Sequence, residues 1–79
     1  MSKITNEQLK KLDDAYINIM MSAELGWEVT IGGNGYNSHE AAGVISGVYD
    51  LLGLTEPEYS EEELKQFVID CGEDPDDYL

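Results

Sequence analysis

Three stretches of helical periodicity divide this chain, and each is bounded by residues that start or stop helices. The first runs from Asn6 to about Leu25, with apolar residues at every third or fourth position. Thr5 and Gln8 have the spacing of a capping box, in which the two side chains bond free backbone amides at the helix start. Gly26 follows, and glycine is the residue that most often ends a helix. The pattern predicts a long amphipathic first helix.

The second stretch predicts a helix from His39 to Leu52, capped by Ser38 or Asn37 and ended by Gly53. Its apolar face is broad enough for a central place in a small bundle. The residues of that face are Ala41, Ala42, Val44, Ile45, Val48, Leu51 and Leu52.

Gly43 and Gly47 lie one turn apart inside this second helix. Interior glycines cost about 1 kcal/mol each relative to alanine, so their presence indicates that something approaches the backbone closely. Close packing against the first helix is the favoured interpretation, because such glycine pairs are a strong association signal only in membrane helices. A docking face for a partner, or a homodimer through the Gly43/Gly47 face, is the alternative.

Ser60 and Glu63 form a second capping box, and Glu61 and Glu62 also lie at the positive end of the third helix's dipole. Gly72 closes this helix. Its predicted core stripe consists of Leu64, Phe67, Val68 and Cys71. Residues 72–79 are predicted to form a flexible acidic tail without regular structure.

Apolar and polar residues alternate over residues 27–31, which is the period of a β-strand. The run 32–35 then interrupts regular structure, with Asn34-Gly35 as a favoured tight-turn pair. Only two residues are left for a return strand. The sequence therefore predicts a lone or very short β element, or an extended loop that packs Trp27 into the core.

Together these patterns predict one small domain over residues 1–79. It is mainly α, with three helices and a short extended segment and glycine-rich turn between helices 1 and 2. The predicted core consists of Leu9, Leu12, Tyr16, Ile19, Trp27, Val44, Ile45, Val48, Leu52, Leu64, Phe67 and Val68.

The location of the protein is predicted from what the chain lacks. The first residues carry no apolar signal-peptide segment, and no apolar run approaches the roughly 18 residues that span a bilayer. Cys71 is the only cysteine, so no internal disulfide can form. These features predict the cytoplasm of a bacterial host cell.

Charge narrows the list of partners. Seventeen acidic residues face four lysines and no arginine, which gives a net charge of -13. Ten of the acids lie between Glu56 and Asp77, where Lys65 is the single cation. Such a field repels nucleic acid and anionic membranes and attracts basic surfaces. The predicted partner is therefore a basic protein surface.

No motif for catalysis, metal binding or cofactor binding stands out. His39, the only histidine, lies in the first turn of a predicted helix, where the dipole makes it a poor base. The aspartates at 74, 76 and 77 lack the spacing of a calcium loop. Gly33 and Gly35 lack the third glycine and the cation of a phosphate-binding loop. The sequence predicts a protein that is not an enzyme and holds no cofactor.

Gly35-Tyr36-Asn37-Ser38-His39 precedes an apolar helix, then Gly53, then Pro57 and an acidic third segment. This order resembles small acyl carrier proteins, whose cofactor-bearing serine starts the second helix within a G-x-D-S-L pattern. The resemblance implies Ser38 as a phosphopantetheine site. Asn37 and His39 replace the aspartate and the leucine of that pattern, so a helix N-cap is the favoured role of Ser38.

In size, charge and lack of motifs the whole chain resembles phage-encoded anti-defence proteins, the anti-CRISPR and anti-restriction DNA mimics. The resemblance implies an inhibitor that covers the nucleic-acid site of a CRISPR effector, restriction enzyme, polymerase or nuclease. Carboxylates at i and i+4 of a helix lie about 6 Å apart, which is close to the spacing of phosphates. An immunity protein or antitoxin against a nuclease toxin would use the same surface. The predicted partner-binding residues are Glu56, Glu58, Tyr59, Glu61, Glu62, Glu63, Asp70, Glu73, Asp74, Asp76, Asp77 and Tyr78.

Overall fold

The structure is a computed structural model that describes residues 4–31 and 33–79. Along the chain it contains α1 (Asn6–Leu25), β1 (Glu28–Ile31), β2 (Asn34–Asn37), α2 (Ser38–Leu52), α3 (Glu61–Asp70) and a single 3₁₀ turn (Pro75–Asp77). The prediction of a mainly α chain with three helices is confirmed. None of the helices in the described ranges is long and apolar enough to cross a membrane.

Both ends of α1 follow the sequence signals. The Thr5 hydroxyl oxygen accepts the backbone N–H of Gln8 at 3.1 Å, and the Gln8 side chain accepts the backbone N–H of Thr5 at 2.9 Å. Gly26 ends the helix, and its N–H bonds carbonyls of the last turn. The capping box and the glycine stop are confirmed because each satisfies backbone groups that a helix end leaves free.

The two strands form an antiparallel hairpin whose register runs from Glu28 opposite Asn37 to Ile31 opposite Asn34. The prediction that Asn34-Gly35 makes the turn is wrong, because both residues lie in β2. Gly33, the described residue between the two strands, has a φ of 83°. Glycine adopts positive φ without a steric penalty, which leaves the next four residues free to pair. Gly32, part of the predicted glycine-rich turn, lies outside the described residues.

Asn37 is the N-cap of α2, and its side chain accepts the backbone N–H of His39 at 2.8 Å. Ser38 is therefore the first helical residue, so of the two predicted caps Asn37 is confirmed and Ser38, the favoured one, is wrong. Gly53 ends the helix with a φ of 66°, as expected. An aspartate-like side chain at the residue before the helix competes well with serine for the cap, which explains the shift by one position.

The core lies where α2 packs on α1. The rings of Tyr16 and Tyr49 are 4.7 Å apart between centroids, and Ile45 is buried beside them. Half-buried side chains complete this cluster, namely Leu12, Ile17, Ile19, Met20 and Leu54. Tyr49 is fully buried, although the predicted core did not include it.

Part of the predicted core is confirmed and part is wrong. Tyr16, Ile45, Leu64 and Val68 are buried, while five residues are half-buried: Leu9, Leu12, Ile19, Trp27 and Phe67. Val44, Val48 and Leu52 are exposed. The molecule is only 18 Å across its shortest axis, which is about two layers of helices. In two layers α2 has one buried face and one open face.

The third helix starts at its capping box, where the backbone N–H of Glu63 donates to the Ser60 hydroxyl at 3.2 Å. Leu64 and Val68 are buried, but Cys71 is exposed, so its place in the core stripe is corrected. Cys71 is the C-cap residue, beyond the last full turn that packs inward.

The residues after α3 contain a turn that the sequence analysis missed. Asp74 caps Pro75–Asp77 by accepting the backbone N–H of Asp76 at 3.0 Å. The Tyr78 ring then meets the Trp27 ring edge-on, with centroids 5.2 Å apart. The prediction of no regular structure is therefore wrong for residues 75–77. The cause is a proline preset for a helical turn and an aromatic contact about fifty residues away in sequence.

Candidate functional site

The predicted partner-binding residues lie almost entirely on the outside of the molecule. We call their ten carboxylates the C-terminal acidic surface: Glu56, Glu58, Glu61, Glu62, Glu63, Asp70, Glu73, Asp74, Asp76 and Asp77. All ten residues are exposed. Within residues 4–31 and 33–79 the single ion pair joins Lys11 to Glu7 at 4.0 Å, far from this surface in sequence. The charge of the C-terminal acidic surface is therefore not neutralised by ion pairs with the described cations.

The acids of α3 are grouped at the two ends of the helix. Glu61, Glu62 and Glu63 occupy the first turn, and Asp70 ends the last one. No carboxylate pair in α3 has the i, i+4 spacing that would imitate successive phosphates; Gln66 instead donates to Asp70 at 2.8 Å. At 1.5 Å per residue the two groups lie about 12 Å apart along the axis. The surface therefore consists of two acidic clusters rather than a continuous ladder.

Two of the predicted binding residues also have internal partners. The Tyr16 hydroxyl donates to Glu56 at 2.7 Å, and the Tyr59 hydroxyl donates to Glu24 at 2.5 Å. These bonds tie the segment between α2 and α3 to α1. Tyr59 is half-buried, so it acts as an internal contact more than as the exposed anchor that the sequence analysis expected.

Tyr49 makes a third bond of the same kind, donating to Asp13 of α1. Burial, together with a carboxylate at the hydroxyl, raises the pKa of Tyr16 and Tyr49 and raises the pKa of Tyr59 to about 12. The physical cause is that a phenolate would lose its water and face a negative charge. The three hydroxyls therefore remain donors at neutral pH. Sequence reasoning missed these pairs because no local pattern connects residues 35 to 40 positions apart.

The second acidic cluster, which extends from Asp70 through Glu73, Asp74, Asp76 and Asp77, is positioned by aromatic contacts at the end of the chain. Trp27 packs against Phe67 of α3, with ring centroids 5.8 Å apart, and against Tyr78. These contacts join the hairpin entrance, α3 and the chain end. Tyr78 remains exposed at one side, so it is the predicted anchor that keeps a free surface.

The groups that would carry other functions lie apart or are covered. His39 and Cys71 are exposed on different helices, and no three His, Cys, Asp or Glu side chains of the described residues gather as metal ligands. Ser38 is only 3% exposed. Attachment of a phosphopantetheine arm requires an accessible hydroxyl, so this burial argues against the carrier-protein alternative.

An open groove of about 510 Å³ lies between α1, β1 and α3. Its lining includes Ile19, Val29, Glu28, Phe67 and Cys71. The lining residues include no histidine or lysine that could act as a base beside the Cys71 thiol. The groove therefore offers a largely apolar surface.

The two glycines inside α2 do not have the surroundings that the sequence predicted. A Cβ atom built on Gly43 or Gly47 would meet nothing within 4 Å. The interpretation that they allow close packing on α1 is therefore wrong; both lie on the exposed side of the helix.

The molecule thus presents two surfaces to other molecules, an acidic surface on α3 and the chain end and an apolar surface on α2. Comparison with protein-family models, with curated proteins and with solved structures finds no match for this chain.

Proposed function

We propose that this protein is a non-enzymatic inhibitor that places its C-terminal acidic surface on a basic nucleic-acid-binding surface of a host protein. It would act in the bacterial cytoplasm in the manner of anti-CRISPR and anti-restriction DNA mimics. One observation carries the proposal. Ten exposed carboxylates lie within residues 56–77, and none of them forms an ion pair with a described cation. Unpaired charge of one sign favours fast association with a surface of the opposite sign.

The fixed conformation of the C-terminal acidic surface supports the proposal further. The capping box fixes the first turn of α3, which carries one acidic cluster. The contact between Trp27 and Tyr78 holds the end of the chain, which carries the other. Charges on fixed elements lose less conformational freedom on binding than charges on a disordered tail. A spacing of about 12 Å between clusters along α3 suits two separate groups of lysines or arginines on the partner.

The experiment that tests this function is affinity capture from bacterial lysate at low and at high salt, followed by displacement of labelled DNA or RNA from the captured protein. We expect a nucleic-acid enzyme that is captured at low salt and released at high salt, because the contacts are between charged groups. Inhibition should be competitive with nucleic acid. A captured nuclease toxin would identify the protein as an immunity protein or antitoxin instead, and salt-resistant capture alone would contradict the proposal.

The decisive variant reverses charges without touching the caps. Glu63 completes the capping box of α3, so we choose Glu58→Lys, Glu62→Lys and Asp76→Lys, which are exposed. The matched control is Glu7→Lys, Asp14→Lys and Glu28→Lys, which has the same net charge but changes α1 and β1. Inhibition should be lost in the first variant and largely retained in the control. Equal loss in both would mean that net charge acts without a defined surface.

A further inference from the structure

The outer face of α2 is apolar and has no partner within the described chain. Val44 is 69% exposed, Val48 36%, Leu51 88% and Leu52 54%. These four side chains together expose roughly 400 Å² of surface, which is the size of the largest apolar patch on a typical monomer, and such patches are often functional. The opposite side of the helix, with Ile45 and Tyr49, already fills the core.

The shape of this face suits another helix. Val44 and Val48 lie one turn apart and form a ridge, and Gly43 and Gly47 form a second row beside it. Nothing occupies the space above either glycine. A row of glycines next to a row of branched side chains makes a shallow groove in which the ridge of a second helix can lie.

Charge is absent from the middle of this face although 27% of the chain is charged. Glu40 lies at one end of the stripe and Asp50 at its side, both exposed. A partner should therefore bring aliphatic side chains to the centre and positive charges to the edge. This is the arrangement of an interface with an apolar core and a polar rim.

The net charge of the chain also indicates whether a second copy of this chain or a different, cationic partner binds this face. A second copy of this chain would bring two net charges of -13 within a few Debye lengths of about 8 Å, and the patch is about half of the roughly 800 Å² that each partner buries in a standard interface. A cationic partner gains from the same field. The charge of the chain thus favours a basic helix over a homodimer.

We propose that the outer face of α2, formed by Gly43, Val44, Gly47, Val48 and Leu51, docks an amphipathic helix of a partner, with an aliphatic stripe flanked by lysine or arginine. This inference rests on the proposed function in that the partner is basic. It adds an apolar contact whose contribution to binding is not screened by salt, although the complex as a whole still depends on the contacts between charged groups.

A defined probe tests the surface directly. The probe is a labelled synthetic peptide with leucine at every third or fourth position and lysine elsewhere, and its control has the same composition with the leucines scattered around the helix. Fluorescence anisotropy at about 0.15 M salt, where the Debye length is about 8 Å, measures both affinities. We expect the amphipathic peptide to bind about tenfold more tightly, the factor that corresponds to burying about one aliphatic side chain more than the scattered control can bury. Equal affinities would overturn the proposal.

Variants locate the binding. Val44→Asn with Leu51→Asn changes two exposed residues and should remove the preference for the amphipathic peptide. Ile69→Asn is the control, because Ile69 is an exposed aliphatic residue of α3, at 53%. The control should bind like the unchanged protein. Retained preference in the double variant would overturn the proposal, and circular dichroism verifies that each variant is folded.

Two further outcomes separate this inference from its rivals. Sedimentation equilibrium of the free protein should show a monomer; a dimer that the double variant abolishes would make a second copy the occupant and overturn the inference. Inhibition lost on reversal of Glu58, Glu62 and Asp76 but unchanged in the Val44/Leu51 variant would refute the inference alone. The reverse result would refute the proposed function and leave α2 as the binding surface.

Discussion

The outer faces of α2 and α3 differ although both helices bury a single stripe of side chains. On α2 the open face carries aliphatic residues and two glycines, and on α3 it carries carboxylates at both ends. Apolar residues are the type that is usually buried, and α2 carries them on both sides. Only one side of the helix packs against α1, however. The comparison teaches that residue type determines which faces can be buried, while the number of packed layers determines which face is buried.

High pH should cause the largest change in the free energy of unfolding, and it should first weaken the contact of α1 with α2. The folded-state pKa values of Tyr16, Tyr49 and Tyr59 are raised above the ordinary value near 10. Stability is therefore complete below pH 10 and falls above it, as the unfolded chain releases protons that the folded chain retains. Each tyrosine contributes a loss of about 1.4 kcal/mol per pH unit until its folded-state pKa is reached, near pH 12 for Tyr59.

Urea denaturation at several pH values between neutrality and pH 12 measures this loss. A flat stability curve up to pH 12 would contradict the tyrosine–carboxylate bonds. Tyr49→Phe should reduce the pH dependence, because it removes one of the three hydroxyls whose pKa the folded state raises.

Substitutions at two neighbouring residues of α2 should give the next largest change in stability. They compare the buried and the exposed side of one helix. Ile45→Ala removes buried atoms beside Tyr16 and Tyr49 and should cost about 2–5 kcal/mol of unfolding free energy. Val44→Ala, one position earlier, removes exposed atoms and should change stability by less than about 0.5 kcal/mol. Chemical denaturation of the pair measures the difference. Similar losses for both would mean that the outer face is covered.

The start of α3 should show a smaller effect. Ser60→Ala removes the hydroxyl that accepts the Glu63 backbone N–H and should cost about 1 kcal/mol. Ser60→Asp is the matched control, because aspartate also caps helices and should retain stability. Thermal denaturation compares the three proteins. If Ser60→Ala were neutral, the first acidic cluster would not depend on its cap.

The smallest effect has an unusual sign and belongs to the outer face of α2. Gly47→Ala fills open space in a helix interior and should raise stability by about 0.5–1 kcal/mol. The added methyl group also fills the glycine row, so the same variant should bind the amphipathic lysine–leucine peptide more weakly. Gly53→Ala is the contrasting control, since its φ of 66° makes a side chain unfavourable and should lower stability. A Gly47→Ala variant that is both more stable and equally competent to bind would show that the glycines serve no docking role.

The helix ends could be predicted from the sequence because their physical basis is local. Thr5 with Gln8 and Ser60 with Glu63 satisfy amides three residues away, and Gly26 and Gly53 end helices through their own backbone. The acidic character of residues 56–77 is also a property of composition alone. Where adjacent residues offered the same chemistry, the favoured choice was wrong: Asn34 and Gly35 lie in β2, and Asn37 rather than Ser38 caps α2.

What the tertiary structure decided is the choice among partners that are distant in the chain. Tyr16 bonds Glu56 and Tyr49 bonds Asp13 across 36 to 40 positions, and Trp27 holds Tyr78. Many carboxylates could have accepted hydrogen bonds from those hydroxyls. The geometry of the buried contact determines which carboxylate does so. The sequence by itself determined the helices and the acidic charge. The two-layer packing determined that α2 presents an apolar face and α3 an acidic one, because each helix could bury only the side that met a neighbour.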